Sequence, residues 1–178
     1  MKPLKTTNKY IFLDRDNTII EDKGYTHKIE HLKFLPGAVS GLKKLQNLGY
    51  KFIIISNQAG IARKYFSRED ADQLNDELTS RLSNRGIKIE KIYICPHHPD
   101  ITGPCSCRKP NPGLALKAAE EFNVNLSSSY FIGDKDSDIE LGYNCKGTTI
   151  LIKNDKYPNT VKADMEAYSL EEVAELLI

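Results

Sequence analysis

The sequence lacks any apolar run near the length of about 20 residues that a helix needs to cross a bilayer. Residues 1–9 lack the apolar core of a secretion signal. There is no basic excess either, because 25 Lys and Arg stand against 24 Asp and Glu, which gives a formal net charge of +1. Dedicated nucleic-acid binders usually carry such an excess. We therefore expect a cytoplasmic protein that binds neither membranes nor nucleic acids.

Internal repeats, low-complexity tracts and interdomain linkers are also missing from the 178 residues. A chain of this length suits one domain with a full-sized core. We therefore expect a single domain over residues 1–178, acting as a monomer. No insertion is long enough for a separate cap domain, so loops must form the rim of any site, chiefly residues 20–34 and 96–108.

Short apolar runs alternate with longer amphipathic segments along the chain. The short runs, rich in β-branched and aromatic residues, predict strands at 10–13, 52–55, 92–94, 130–132 and 148–152. Helix patterns cover residues 37–48, 67–85, 112–122, 136–143 and 169–178. The polar segment 153–165 is predicted to be a loop. This alternation predicts an α/β, doubly wound (Rossmann-like), mostly parallel sheet of five or more strands with helices on both faces.

Polar side chains follow successive predicted strands. In open parallel sheets ligands bind beyond the carboxyl ends of the strands. The residues at these ends are, strand by strand, Asp14 and Asp16, then Ser56, Asn57 and Gln58, then Cys95 and His97, then Asp134 and Lys135. The sequence therefore predicts one site at this edge of the sheet.

The two carboxylates after the first strand can divide an attack on phosphorus between them. Asp14 can act as the nucleophile and Asp16 can handle protons, provided that a metal neutralises the phosphoryl oxygens. Asp134 would complete an oxygen-rich site for Mg²⁺. An isolated Asp-x-Asp more often only ends a strand, but Ser56 and Lys109 are predicted at the same edge.

Groups that suit phosphate binding accompany these acids. Ser56 and Asn57 offer a hydroxyl, an amide and backbone N–H groups, although such a pair alone is more often a turn. Lys109 can place a positive charge on phosphoryl oxygens, and Arg108 can bind a second anionic group in a bidentate manner. Each of these residues taken alone would be an ordinary surface group.

Three of the four cysteines lie close together in the sequence. Cys95, Cys105 and Cys107, with His97 or His98, can fill a tetrahedral zinc shell and leave no open position, which indicates a structural zinc. The alternative is a set of reduced cysteines beside a surface histidine. Cys145 stands apart and is predicted to be a buried apolar residue.

Four segments, 12–18, 56–58, 108–110 and 133–138, resemble in order the motifs of the haloacid dehalogenase superfamily of phosphatases. The resemblance implies that Asp14 forms an aspartyl-phosphate. Asp16 would protonate the leaving oxygen and then activate water, while Ser56 and Lys109 steady the phosphoryl group. Mg²⁺ would be held by Asp14, the Asp16 backbone carbonyl and Asp134.

Within the superfamily, segments 14–25, 56–63, 95–99 and 105–110 are most similar to the D-glycero-D-manno-heptose 1,7-bisphosphate 7-phosphatase family. This implies a sugar bisphosphate substrate and a place in heptose synthesis for lipopolysaccharide or other surface glycans. It also favours His97 as the zinc ligand. The implied substrate contacts are Asp22, Lys23, Gly24, Tyr25, Ser56, Asn57, Gln58, Ala59, Arg108, Lys109 and Lys135.

One departure and three alternatives accompany this resemblance. Asn17 stands where the family usually has Gly, at a point where Asn is the next residue to tolerate left-handed geometry.

Histidinol-phosphate phosphatases share the motifs and a similar zinc loop, but Gly24 with Tyr25 and segment 61–63 favour the heptose enzymes. A phosphoacceptor receiver domain would carry its reactive Asp after a later strand, without a zinc loop. The balanced charge disfavours a zinc-dependent nucleic-acid binder.

Overall fold

A computed structural model describes residues 9–178 of the chain. Residues 1–8, from which we expected no secretion signal, lie outside the described part. The strands are β1 Lys9–Leu13, β2 Tyr50–Asn57, β3 Ile89–Cys95, β4 Tyr130–Gly133, β5 Thr148–Ile152 and β6 Met165–Ala167. The α-helices are α1 Ala38–Asn47, α2 Arg68–Ser83, α3 Pro99–Thr102, α4 Gly113–Phe122, α5 Asp136–Asn144 and α6 Leu170–Leu176, with 3₁₀ turns at Ile29–His31 and Leu126–Ser128.

The strands form one parallel sheet of six in the order β3-β2-β1-β4-β5-β6. The predicted doubly wound α/β class is confirmed. The order runs outward in both directions from β1, so the topological switch point lies between β1 and β4, where such sheets bind their ligands. No helix among residues 9–178 is both long and apolar enough to cross a membrane.

Alternate residues of the central strand face two separate cores. Ile11 and Leu13 of β1 pack with α1, α2 and α6, whereas Tyr10 and Phe12 pack with α4 and α5. This period of two is what a strand covered on both faces requires. Cys145, at the end of α5, packs in the core that contains Tyr10 and Phe12. The prediction that it is a buried apolar residue is confirmed.

Local signals explain where the longest helix begins. The Ser67 hydroxyl accepts a hydrogen bond from the Asp70 amide at 3.0 Å, and the Asp70 carboxylate accepts one from the Ser67 amide at 2.8 Å. This capping box satisfies two amides that the first turn of α2 would otherwise leave unpaired. The predicted start of α2 is therefore confirmed.

The sixth strand was missed by the sequence analysis. The polar pattern predicts a loop over residues 153–165, yet Met165 begins β6, which pairs with β5 from Ile150 to Ile152. The strand has only three residues and no β-branched or aromatic side chain, so its pattern carries no strand signal. Within residues 9–178 the connections contain no inserted cap domain, and loops surround the carboxyl edge of the sheet.

Candidate active site

A cavity of about 370 Å³ opens at the carboxyl edge of the sheet, beside the switch point. Twelve of the residues proposed from the sequence line it: Asp14, Asp16, Asp22, Gly24, Tyr25, Ser56, Asn57, Gln58, Ala59, Arg108, Lys109 and Lys135. Lys23 does not line it and is exposed. Six lining residues are not among the catalytic residues or substrate contacts expected from the sequence: Arg63, His98, Ser137, Asp138, Lys156 and Tyr157.

Lys109 forms the floor of the cavity together with two acids. Its Nζ atom lies 2.5 Å from Oδ1 of Asp14 and 2.6 Å from Oδ1 of Asp138, and it also donates to the Ile55 carbonyl at 2.7 Å. Burial opposes the charge on Lys109, but Asp138 and Asp14 outweigh it and raise the pKa of the ammonium. Lys109 is therefore a fixed cation beside the carboxylate expected to attack phosphorus.

The backbone around Lys109 is held by the end of β2. The Asn57 side-chain amide donates to the Lys109 carbonyl at 3.1 Å and accepts from the Lys109 amide at 3.0 Å. The Asn57 side chain thus pairs with the backbone of Lys109 in the way that the backbone of a neighbouring strand would. It gives Lys109 a defined position, although the two residues lie far apart in the sequence.

Three buried aspartates form an acidic cluster next to Lys109. One oxygen from each of Asp14, Asp134 and Asp138 lies within 4.8 Å of the others. Burial, then Asp14 and Asp138, raises the pKa of Asp134 to about 7. Its Oδ1 atom is buried without a protein hydrogen-bond partner. A carboxylate so placed fits a divalent cation with oxygen ligands, as Mg²⁺ requires.

Asp138 could enter this cluster because residue 133 is glycine. A Cβ atom at Gly133 would lie 2.2 Å from Cγ of Asp138, which is closer than any real contact. The Asp138 side chain folds back from the first turn of α5 and also accepts from the Lys135 amide at 3.1 Å. Asp138 belongs to the motif 133–138, but no local pattern in that motif places its side chain against Lys109.

Asp16 lies on the cavity wall and accepts from Arg15, from Gln58 and, at 3.5 Å, from the Ser56 hydroxyl. Arg15 contacts both carboxylate oxygens at 3.1–3.3 Å, and the Gln58 amide donates to Oδ2 at 2.9 Å. The Gln58 amide also contacts the hydroxyl of Ser56 at 2.7 Å. Burial raises the pKa of Asp16, Arg15 opposes it, and Asp14 adds to it. A raised pKa suits a group that must carry a proton.

The cavity rim carries four cationic side chains from different loops. Arg63 pairs with the His98 imidazole at 2.8 Å, and Arg108 donates to the His97 carbonyl at 3.1 Å. Lys135 sits 4.5 Å from the centre of the Tyr157 ring. Lys156 donates to Asp22 at 3.1 Å and so joins the loop after β5 to the predicted rim loop 20–34. The loop after β5 is therefore a third part of the rim.

The cysteine cluster lies in the loop that leads to Arg108. The four predicted ligand atoms of Cys95, His97, Cys105 and Cys107 form contacts of 3.1–3.7 Å with one another. Ligands about 2.0–2.3 Å from a tetrahedral zinc would be roughly 3.3–3.8 Å apart. The set therefore fits zinc. His98, the rival ligand, instead faces Arg63 and caps α3.

Comparison with known proteins agrees with this geometry. The HAD-hydrolase-like family model matches residues 106–176. D-glycero-beta-D-manno-heptose-1,7-bisphosphate 7-phosphatase of Pasteurella multocida is 40% identical over 174 residues, covering 94% of each chain. The chain belongs to the heptose-bisphosphate 7-phosphatase family of haloacid dehalogenase-like hydrolases. D-glycero-alpha-D-manno-heptose-1,7-bisphosphate 7-phosphatase of Photorhabdus laumondii, also in this family, is 42% identical over 139 residues and covers 75% of this chain and 76% of its own.

A solved member of the heptose-bisphosphate phosphatase family has the same architecture. D,D-heptose 1,7-bisphosphate phosphatase from B. bronchiseptica, complexed with magnesium and phosphate, superposes with a TM-score of 0.85. It is 26% identical and covers 95% of this chain and 97% of its own. Both the predicted fold and the predicted superfamily are confirmed.

The family's first motif contains the one departure noted in the sequence. Asn17 has a φ of 56°, in the left-handed region that favours glycine. Its Oδ1 atom accepts from the Asp22 amide at 3.2 Å. Asn17 therefore adopts the backbone of the usual glycine and also holds the start of the rim loop.

Proposed function

We propose that this protein hydrolyses the 7-phosphate ester of D-glycero-D-manno-heptose 1,7-bisphosphate through an aspartyl-phosphate on Asp14. The observation that carries the proposal is the arrangement of Asp14, Lys109 and Asp134 at the floor of a cavity whose rim is cationic. The substrate named for the relatives has one phosphate at each end. The cavity has positive charge both at its floor, from Lys109, and on its rim.

The first half of the reaction transfers the phosphoryl group to the protein. A carboxylate oxygen of Asp14 forms a bond to phosphorus while the bond from phosphorus to the sugar oxygen breaks. Asp16 gives its proton to that sugar oxygen, so that a neutral alcohol leaves. Lys109 and Ser56 hold the phosphoryl oxygens during the transfer.

The second half restores the enzyme. Asp16, now ionised, takes a proton from a water molecule that attacks the phosphorus of the aspartyl-phosphate. Inorganic phosphate leaves, and Asp14 is again a carboxylate. Magnesium, held by Asp14, Asp134 and the Asp16 carbonyl, neutralises charge on the phosphoryl oxygens in both halves.

The second phosphate of the substrate is assigned to the rim. Arg63 and Arg108 line the cavity, and their protein partners are the His98 ring and the His97 carbonyl. Two guanidinium groups that face a cavity and have no carboxylate partner in the described part of the chain suit a phosphate, which can accept several hydrogen bonds from them. The sequence already predicts that Arg108 binds a second anionic group. The cavity adds Arg63 as a second residue for the same group.

Phosphate release from a panel of esters tests the proposal. The panel contains both anomers of heptose 1,7-bisphosphate, heptose 7-phosphate and histidinol phosphate. We expect the bisphosphates to have the highest kcat/KM, and phosphorus NMR to show that the 1-phosphate is retained. The Asp14→Asn variant should release no phosphate. Faster turnover of histidinol phosphate would favour the alternative substrate.

A further inference from the structure

Arg15 is the largest of the fully buried side chains and had no role in the sequence analysis. It is 0% exposed, although arginine is seldom buried without a specific partner. Its guanidinium donates to Asp16, to the Asn75 side-chain oxygen at 2.8 Å and to the Thr26 carbonyl at 2.9 Å. All three nitrogens therefore have partners, and one of these partners is the expected general acid.

The contact with Asp16 involves both carboxylate oxygens. The Nε and Nη2 atoms of Arg15 each lie 3.1–3.3 Å from Oδ1 and Oδ2. The guanidinium therefore contacts the carboxyl group along its whole edge, at distances slightly longer than the roughly 2.7–2.9 Å of a tight charged pair. Among residues 9–178, Arg15 is the one donor that reaches both oxygens of Asp16.

The far side of the guanidinium is fixed by two other elements. Asn75 lies on α2 and is buried, and it accepts from Nη1. Thr26 belongs to the rim loop 20–34 and accepts from Nη2 through its backbone. A buried planar group held on its outer edge by a helix and a loop has little freedom to rotate, so its inner edge presents a fixed surface to Asp16.

We propose that Arg15, held by Asn75, is a positioning residue that aims the Asp16 carboxyl at the oxygen of the leaving alcohol. The inference rests on the proposed function, because it assumes that Asp16 protonates that oxygen. Arg15 itself touches neither the phosphoryl group nor the metal ligands Asp14 and Asp134. Its effect therefore falls on the two steps in which Asp16 moves a proton, and kcat/KM reports only the first of them.

Two esters with different leaving groups separate this role from a purely structural one. A sugar alkoxide is a poor leaving group and needs the proton, whereas the nitrophenolate of p-nitrophenyl phosphate leaves without one. The quantity to compare is kcat/KM, because it reports steps up to phosphoryl transfer and excludes hydrolysis of the intermediate. General acid catalysis typically raises a rate by about 10²–10⁴-fold, and this bounds the loss of kcat/KM that misplacing Asp16 can cause.

The experiment compares Arg15→Lys and Asn75→Ala with the wild-type protein. Thr79→Ala is the matched control, because its hydroxyl donates to the Asn75 backbone carbonyl on the same helix without touching Arg15. We expect Arg15→Lys to lower kcat/KM for heptose bisphosphate by at least about 30-fold, and Asn75→Ala by about tenfold. Both should change kcat/KM for p-nitrophenyl phosphate by less than about threefold. Thr79→Ala should leave both values unchanged.

An equal loss for both esters would show that the two residues only support the fold, and no loss for either would overturn the inference directly. Asn75→Ala provides the test if Arg15→Lys does not fold, since it leaves the guanidinium in place. If the wild-type protein cleaves other sugar phosphates but not heptose bisphosphate, the proposed function fails. The comparison then uses the sugar phosphate that is cleaved, so the two failures remain distinct.

Discussion

The ammonium of Lys109 lies 2.6 Å from Oδ1 of Asp138, and both side chains are at most 5% exposed. Asp138 therefore shares Lys109 with Asp14, the proposed nucleophile. Because two opposing carboxylates draw the ammonium, its position is a compromise between them. Removing one of them should let Lys109 move towards the other.

We expect Asp138→Asn to lower kcat by about tenfold or more, because Lys109 would then pair more tightly with Asp14 and would no longer face the phosphoryl oxygens. Steady-state phosphate release measures the loss. Glu140→Gln, on the same helix and outside the cavity, is the control and should keep wild-type activity. A fully active Asp138→Asn protein would show that Asp138 does not position Lys109.

Loss of zinc should weaken substrate binding more than it slows chemistry. Cys107 directly precedes Arg108, whose guanidinium is tied to the carbonyl of the ligand His97. We expect Cys107→Ser to lose bound zinc, to unfold at a lower temperature, and to raise KM for the bisphosphate by about tenfold as the contact with Arg108 is lost.

Metal analysis, thermal unfolding and kinetics check this prediction together. Cys145→Ala is the matched control, since Cys145 lies in the apolar core away from the four ligands. It should keep its zinc and its KM. A native protein that contains no zinc after purification without chelators would contradict the structural-metal assignment.

The sequence predicted those parts of the site that follow from chain topology. Asp14, Ser56 and Asp134 could be placed together because the carboxyl ends of parallel strands meet at one edge. The three cysteine ligands of the predicted zinc site follow from residue types and close spacing, which limit the chemistry, whereas the choice of His97 over His98 came from the family resemblance. Neither inference needed side-chain positions.

The remainder depended on packing that no local pattern encodes. Arg15 could not be predicted as buried, because arginine is usually exposed and its partner Asn75 is remote in sequence. Lys156 and Tyr157 come from a polar segment without periodicity, and their place on the rim follows from the contact with Asp22. Lys23, although adjacent to Asp22, does not line the cavity, because neighbouring loop residues need not share a face.

Magnesium should stabilise this protein more strongly at neutral pH than in mild acid. In the metal-free protein, burial and the neighbouring aspartates raise the pKa of Asp134 to about 7. Between the usual value of about 3.9 and about 7, the folded protein holds a proton that the unfolded chain has released. The contribution of this group to stability therefore falls as pH rises through that window.

Magnesium binds the ionised carboxylate, so it must displace that proton at low pH and meets no such competition at higher pH. We expect the rise in Tm on adding Mg²⁺ to be clearly larger near about pH 8 than near about pH 5. In Asp134→Asn the metal-induced rise should largely vanish at both values. An identical rise in the wild-type protein at the two pH values would count against Asp134 as a ligand.

Asn17 allows its backbone geometry to be tested separately from its side chain. Asn17→Ala should destabilise the protein by about 2 kcal/mol, from about 1 kcal/mol of left-handed strain and about 1 kcal/mol for the lost bond to Asp22. Asn17→Gly loses only the bond, so it should cost less. Urea unfolding measures both changes. Lys146→Gly, at another left-handed position remote from the cavity, should be slightly stabilising and leave KM unchanged. If Ala is tolerated at position 17 as well as Gly, the positive φ is not what restricts this residue, and its role lies in the hydrogen bond alone.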